Sequence, residues 1–154
     1  MINSRFAVAV HVLTLLAFGR ERYPDVPMTS EMAAESVNTN PVVVRRILGQ
    51  LRNSGIVSSQ SGPRGGWLLE RDPGSIRLDE VYRSVEDEQL FSLHHRTPSR
   101  MCTVGSNIQS ALGEVFKEAE EAMAGKLAQR TVSDMLEAIR ARIQCEQEAK
   151  DRAG

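Results

Sequence analysis

Apolar residues recur every three to four positions along most of this chain and give way to short apolar runs only around residues 56–71. Phe6, Val10, Leu13 and Ala17 keep helical spacing, and the positions between them are also mostly apolar. Residues 2–18 therefore predict a helix that sits in the middle of something. Gly19, Pro24 and Pro27 predict a loop over 19–28. A short helix is expected at 30–37, with Thr29 or Ser30 as its N-cap and Glu31 near the positive helix end. Asn38-Thr39 makes a tight turn. Asn40 caps the next helix, which has Pro41 at its first position, where a missing N–H costs nothing, and Val44, Ile47, Leu48 and Leu51 as its apolar stripe. Gly55 stands where a left-handed C-cap belongs.

Residues 56–61 and 67–71 read as two strands around the turn Ser61-Gly62-Pro63-Arg64-Gly65-Gly66. Two short helices, a tight turn and a following hairpin are the layout of a winged helix-turn-helix. Asp72-Pro73-Gly74 closes the hairpin, and 78–85 is a short helix with Asp79 and Glu80 in its first turn. Residues 87–103 lack periodicity and form the one long irregular stretch, which is mobile or functional. Val104, Ile108, Leu112, Val115, Phe116, Ala119, Met123 and Leu127 then predict a helix over 104–127, roughly 36 Å long. So small a domain does not cover that length, so part of the stripe is expected to meet a second chain. Thr131 with Asp134 resembles a capping box for a last helix at 132–146, and the polar tail from Glu146 is expected to fray. The fold class is mostly α with a small β-hairpin wing: a winged helix-turn-helix plus a long dimerisation helix. The expected divisions are a DNA-binding domain over 1–86, a sensor loop over 87–103, dimerisation helices over 104–147 and a polar tail over 148–154.

Charge sharpens this picture. The 154 residues carry a net charge of −1. Residues 36–71 nevertheless hold five arginines, at 45, 46, 52, 64 and 71, against Glu70 alone. The N-terminal half is the expected polyanion surface. No apolar run is long enough to span a bilayer. The apolar start contains Arg5 and His11 and lacks a small-residue cleavage site, so it reads as a buried helix rather than a leader. Cys102 and Cys145 make no disulfide framework, which fits a reducing cytoplasm.

In order along the chain, Ile2-Asn3-Ser4-Arg5-Phe6-Ala7, the helix pair, Leu51-Arg52-Asn53-Ser54-Gly55-Ile56-Val57, Gly65-Gly66-Trp67-Leu68-Leu69 and Ile76-Arg77-Leu78-Asp79-Glu80-Val81 resemble the Rrf2 family. The resemblance spans about residues 1–145. It implies a winged helix, a long dimerisation helix and transcriptional control, mostly by repression among the small members. It also implies an apolar or aromatic core residue at Val43. Many members hold an iron–sulfur cluster on three cysteines before the long helix. This chain has only Cys102 there and resembles cluster-free relatives that keep one cysteine. No cofactor is expected.

An α-helix fits the major groove and reads base edges near its N-terminus. Thr39, Asn40, Val42, Val43, Arg45 and Arg46 lie at the start of the expected reading helix. Either arginine could take guanine bidentately, and either valine could touch a thymine methyl. Arg64 at the glycine-flanked wing tip, with Ser61 and Gly65, suits a narrow minor groove. Arg5, Thr29 and Ser30 are weaker phosphate candidates, because helix capping accounts equally well for the last two. Trp67 reads as packing between wing and core. A two-fold dimer joined along 104–127 predicts a near-palindromic double-stranded operator with half-sites one or two helical turns apart.

Cys102 precedes a helix N-terminus, a setting that lowers a thiol pKa, so an oxidant or electrophile switch is one reading and simple packing the other. His94, His95 and Cys102 match no standard metal spacing, and His11 or a partner would have to complete the set. Cys145 reads as a bystander. No nucleophile–base pair, paired carboxylates or phosphate loop supports an enzyme; the glycine-rich turn lacks the Lys-Ser/Thr and the helix that a phosphate loop needs. Two other readings stay open: a repressor relieved by a small molecule beneath the long helix or by a metal, and a winged helix that binds protein instead of DNA.

Overall fold

The computed structural model describes residues 4–86 and 90–153. Ile2 and Asn3 of the opening motif and positions 87–89 of the expected sensor loop lie outside them. Helix α1 spans Arg5–Arg22, α2 Ser30–Val37, α3 Pro41–Asn53, α4 Leu78–Val85, α5 Ile108–Leu127 and α6 Val132–Ala153. Strands β1 (Val57–Gln60) and β2 (Gly66–Leu69) pair antiparallel, with Val57 opposite Leu69 and Gln60 opposite Gly66. A single 3₁₀ turn, Pro73–Ser75, follows the hairpin.

Helix α1 is buried along one side and open along the other, where Phe18 is exposed, so it is less enclosed than its apolar circumference predicts. Ala9, Val12, Leu13, Leu16 and Ala17 are buried against Ala33 and Ala34 of α2, Val44, Ile47, Leu48 and Leu51 of α3, and Val81 and Val85 of α4. Its N-terminus receives no side-chain cap from Ser4. Glu86 serves instead: one carboxylate oxygen accepts the Phe6 N–H at 3.1 Å and the other pairs with Arg5 at 3.6 Å. The predicted caps of the other helices form. Thr29 accepts from the Met32 N–H, and Asn40 accepts from the Val42 N–H at 2.8 Å. Thr131 and Asp134 exchange reciprocal bonds at the start of α6. Asn38, at φ 57°, and Gly55, at φ 69°, take the left-handed turns that end α2 and α3.

The wing is anchored at its base. Met28 and Trp67 exchange both backbone hydrogen bonds, at 3.0 and 2.8 Å. This brings the Met28 carbonyl within 2.6 Å of where a Cβ at Gly66 would lie, so only glycine fits there. The Trp67 indole donates to Ser30 Oγ at 3.1 Å, and the Arg52 guanidinium lies over the ring.

Several boundaries differ from expectation. Helix α1 runs on through Gly19 to Arg22, into the expected loop. Helix α5 begins at Ile108 rather than at 104. Ser106 and Asn107 side chains both donate to the Thr103 carbonyl, a local pairing that competes with helix. Helix α6 does not fray at 146 but continues to Ala153, through strong helix formers with Glu148 paired to Arg152 one turn on. Its start also belongs to the N-terminal core: Val132 and Leu136 are buried there, and the Arg77 and Thr131 backbones form a bridge. The core therefore extends beyond a boundary at residue 86. Between α1 and α6 an open apolar groove of about 630 Å³ is lined by Phe6, Val10, Phe18, Met135, Ile139 and Ile143. No helix among the described residues is long and apolar enough to cross a membrane.

Candidate nucleic-acid interface

The reading surface follows from the geometry of α3. Val44, Ile47, Leu48 and Leu51 fix one face inward, so Val42, Arg46, Gly49 and Asn53, at steps of four, three and four, form the opposite face. Val42 is 62% exposed and Val43 41% exposed. The core residue of this turn is thus Val44, and the core position that the resemblance implies at Val43 is corrected. Val43 lies about 100° around the helix from Val44, beyond the edge of the buried stripe.

The five-arginine cluster separates into roles that a charge count does not distinguish. Arg71 makes a bidentate pair with Glu80, at 2.8 and 2.7 Å, and this raises its pKa further above the usual guanidinium value. It fastens the end of the wing to α4. Arg52 stacks over Trp67 and donates to Ser59. Arg45 bonds Glu31 of α2 at 2.5 Å, and that hydrogen bond holds the Glu31 carboxyl below its ordinary pKa. Both side chains of this pair are more than half exposed, so water competes with it throughout. Arg46 and Arg64 are exposed and have no carboxylate partner among the described residues.

The remaining candidates divide in the same way. Asn40 and Ser61 are exposed, and Thr39 is half-buried beside them. Gly65 closes the wing turn, with its N–H on the Gly62 carbonyl at 2.9 Å. A Cβ at Gly65 would lie 2.2 Å from the Gln60 carbonyl, so the turn itself demands glycine there. Thr29 is occupied as the cap of α2. Ser30 is corrected: it is 4% exposed and its hydroxyl is taken by Trp67, so it cannot meet a phosphate. Arg5 is held by Glu86 at the start of α1.

Cys102 is exposed, in the turn before α5. The backbone N–H groups of Gly105 and Val104 point at its sulfur and lower its thiol pKa. The direction matches the sequence expectation. The cause is this turn and not the helix terminus, which begins six residues later. The Ser99 carbonyl lies 2.5 Å from a would-be Cβ of Gly105, so the turn closes only with glycine. The donor set does not fit a cysteine-ligated iron–sulfur cluster. The chain has two cysteines, Cys145 lies far along exposed α6, and no three metal-ligating side chains converge among the described residues.

Comparison with known proteins bears on the family and the fold. Residues 2–138 match the family model Rrf2, described as an iron-dependent transcriptional regulator. YwnA of Bacillus subtilis (strain 168), named as an HTH-type transcriptional regulator, is 44% identical over 137 residues, 88% of this chain and 97% of that protein. A crystal structure named for DNA binding is 39% identical, with a TM-score of 0.68, and the match covers 86% of this chain and 99% of that one. A transcriptional-regulator structure from Lactobacillus plantarum is 23% identical and superposes with a TM-score of 0.77 over 96% of this chain and 99% of that one, a likeness of fold.

Proposed function

Because the chain belongs to the Rrf2 family of DNA-binding transcriptional regulators, we propose that it represses transcription in the cytoplasm as a homodimer, with α3 in the major groove and the wing in the adjacent minor groove. The observation that carries this reading is the pair of exposed cations without a carboxylate partner among the described residues, Arg46 on the outward face of α3 and Arg64 at the wing tip, on a head whose other cluster arginines have partners within the fold. Arg46 supplies a bidentate guanine contact and Arg64 enters the narrow groove. Val42 and Val43 give apolar contacts to thymine methyls; Thr39, Asn40, Ser61 and the Gly65 backbone serve phosphates. Arg45 exchanges Glu31 for DNA.

The dimer forms along α5. None of its residues is buried within the chain, and Val115 is 58% exposed on the stripe that also carries Ile108, Leu112 and Met123. A second copy covers this stripe and sets the spacing of two heads.

Cys102 is the switch of this reading, because its lowered pKa and exposure favour the thiolate. Oxidation or alkylation reorganises the turn that launches α5, and with it the spacing of the heads. The test is binding to the DNA upstream of the protein's own gene, at two salt concentrations, with and without a mild oxidant, for the wild type and Cys102→Ser. Tight, salt-sensitive binding lost on oxidation in the wild type alone supports the whole reading. Binding indifferent to oxidant keeps the repressor and moves the switch to the α1–α6 groove and a small molecule. Absence of specific binding to this or any genomic fragment leaves a protein-binding winged helix.

A further inference from the structure

Gly49 stands in the interior of α3, where glycine costs about 1 kcal/mol relative to alanine. The fold supplies no reason for it. A Cβ at 49 meets nothing within 4 Å, and the residue has no positive φ. Other glycines of the reading head differ: backbone oxygens exclude a Cβ at Gly65 and Gly66, and Gly55 is left-handed. What Gly49 does have is position. Half-buried between longer side chains, it lies on the outward face one turn beyond Arg46 and one turn before Asn53, opposite the stripe that packs into the core.

Building on the DNA-reading function, we infer that Gly49 is a specificity-determining contact position, where the α3 backbone approaches the duplex more closely than a Cβ allows. The close approach seats Arg46 deeply enough to reach base edges. A side chain at 49 lifts the helix off the groove floor while leaving the phosphate attraction in place.

The test compares the full-length wild type with Gly49→Ala and Gly49→Leu. The DNA is the tightest duplex that the wild type selects from a random pool, beside a scrambled duplex of equal length. Gly49→Ala should melt at or above the wild-type temperature and lose roughly ten-fold or more affinity for the selected duplex. It should bind the scrambled duplex as the wild type does, and Gly49→Leu should lose more. Unchanged discrimination in Gly49→Ala overturns the inference. So does a lower melting temperature, since glycine would then serve the fold. Failure of the wild type to discriminate between any duplexes removes the DNA-reading function itself, and the inference with it.

Discussion

Helices α3 and α5 are both amphipathic by sequence, yet the chain treats them in opposite ways. In α3 the residues Val44, Ile47, Leu48 and Leu51 are essentially inaccessible to water. In α5, a helix of 20 residues, none is buried. Phe91, from the loop that precedes it, stacks on Phe116 with ring centroids 4.9 Å apart, and Leu127 at its end packs against the core. The difference teaches that an apolar stripe marks a surface to be covered without saying which chain covers it. The N-terminal head, closed by the first turns of α6, buries its stripe within the chain; the stripe of α5 is left at most half-buried by it.

The largest test of this contrast is Val115→Asp. A charge in the α5 stripe should turn dimer into monomer by analytical ultracentrifugation and weaken operator binding roughly 10²–10⁴-fold through lost bivalency, with the head still folded. An unchanged dimer with a folded head would place the interface elsewhere. Leu48→Ala breaks the other side of the comparison. It should cost about 2–5 kcal/mol in denaturant unfolding, because a fully buried leucine leaves a cavity. Leu112→Ala, measured at protein concentrations where the chain is monomeric, should cost far less.

On the reading surface, Arg46→Ala should weaken operator binding by about 1–3 kcal/mol and relax the sequence preference at one position in each half-site. An equal loss on all sequences would make Arg46 a phosphate contact. The smallest effect belongs to Glu31→Gln, which frees Arg45 and should raise affinity slightly, most at low salt. Because Arg45 depresses the Glu31 pKa, the pair is formed above the ordinary carboxylate range and lost only as pH falls through the lowered value. The competition therefore operates fully near neutral pH, where the affinity comparison is made.

The helices, the caps and the hairpin were legible in the sequence because each is set by neighbours a few residues away. Asn40 with Pro41, Thr131 with Asp134, and Asn38 and Gly55 in left-handed turns act locally, and they sit where pattern reasoning placed them. The start of α5 departs from the pattern because apolar periodicity continues through Val104 while Ser106 and Asn107 draw the backbone into a turn. The end of α6 departs from the pattern because a polar tail need not fray when it is made of good helix formers such as Glu, Gln, Ala, Lys and Arg.

The site itself was only partly legible. Sequence located five arginines, but Arg71 finds Glu80 nine residues on, Arg45 finds Glu31 fourteen residues back, and Arg52 finds Trp67 across the hairpin. Ser30 carried a capping motif and proved to be the acceptor for an indole 37 residues away. Gly49 left no mark in the pattern, because a single glycine in a helix reads as a small local cost until the space around it is known.

By itself, then, the sequence determined the order and kind of elements, the caps, the winged head and its family, since these rest on short-range hydrogen bonding and on the periodicity of apolar residues. The tertiary structure alone decided which arginines lack a carboxylate partner among the described residues, which serine disappears into the core, that Val132 and Leu136 close the head, and that no residue of α5 is buried. Those outcomes depend on pairings between residues distant in the chain, and periodicity along one segment carries no information about what folds against it.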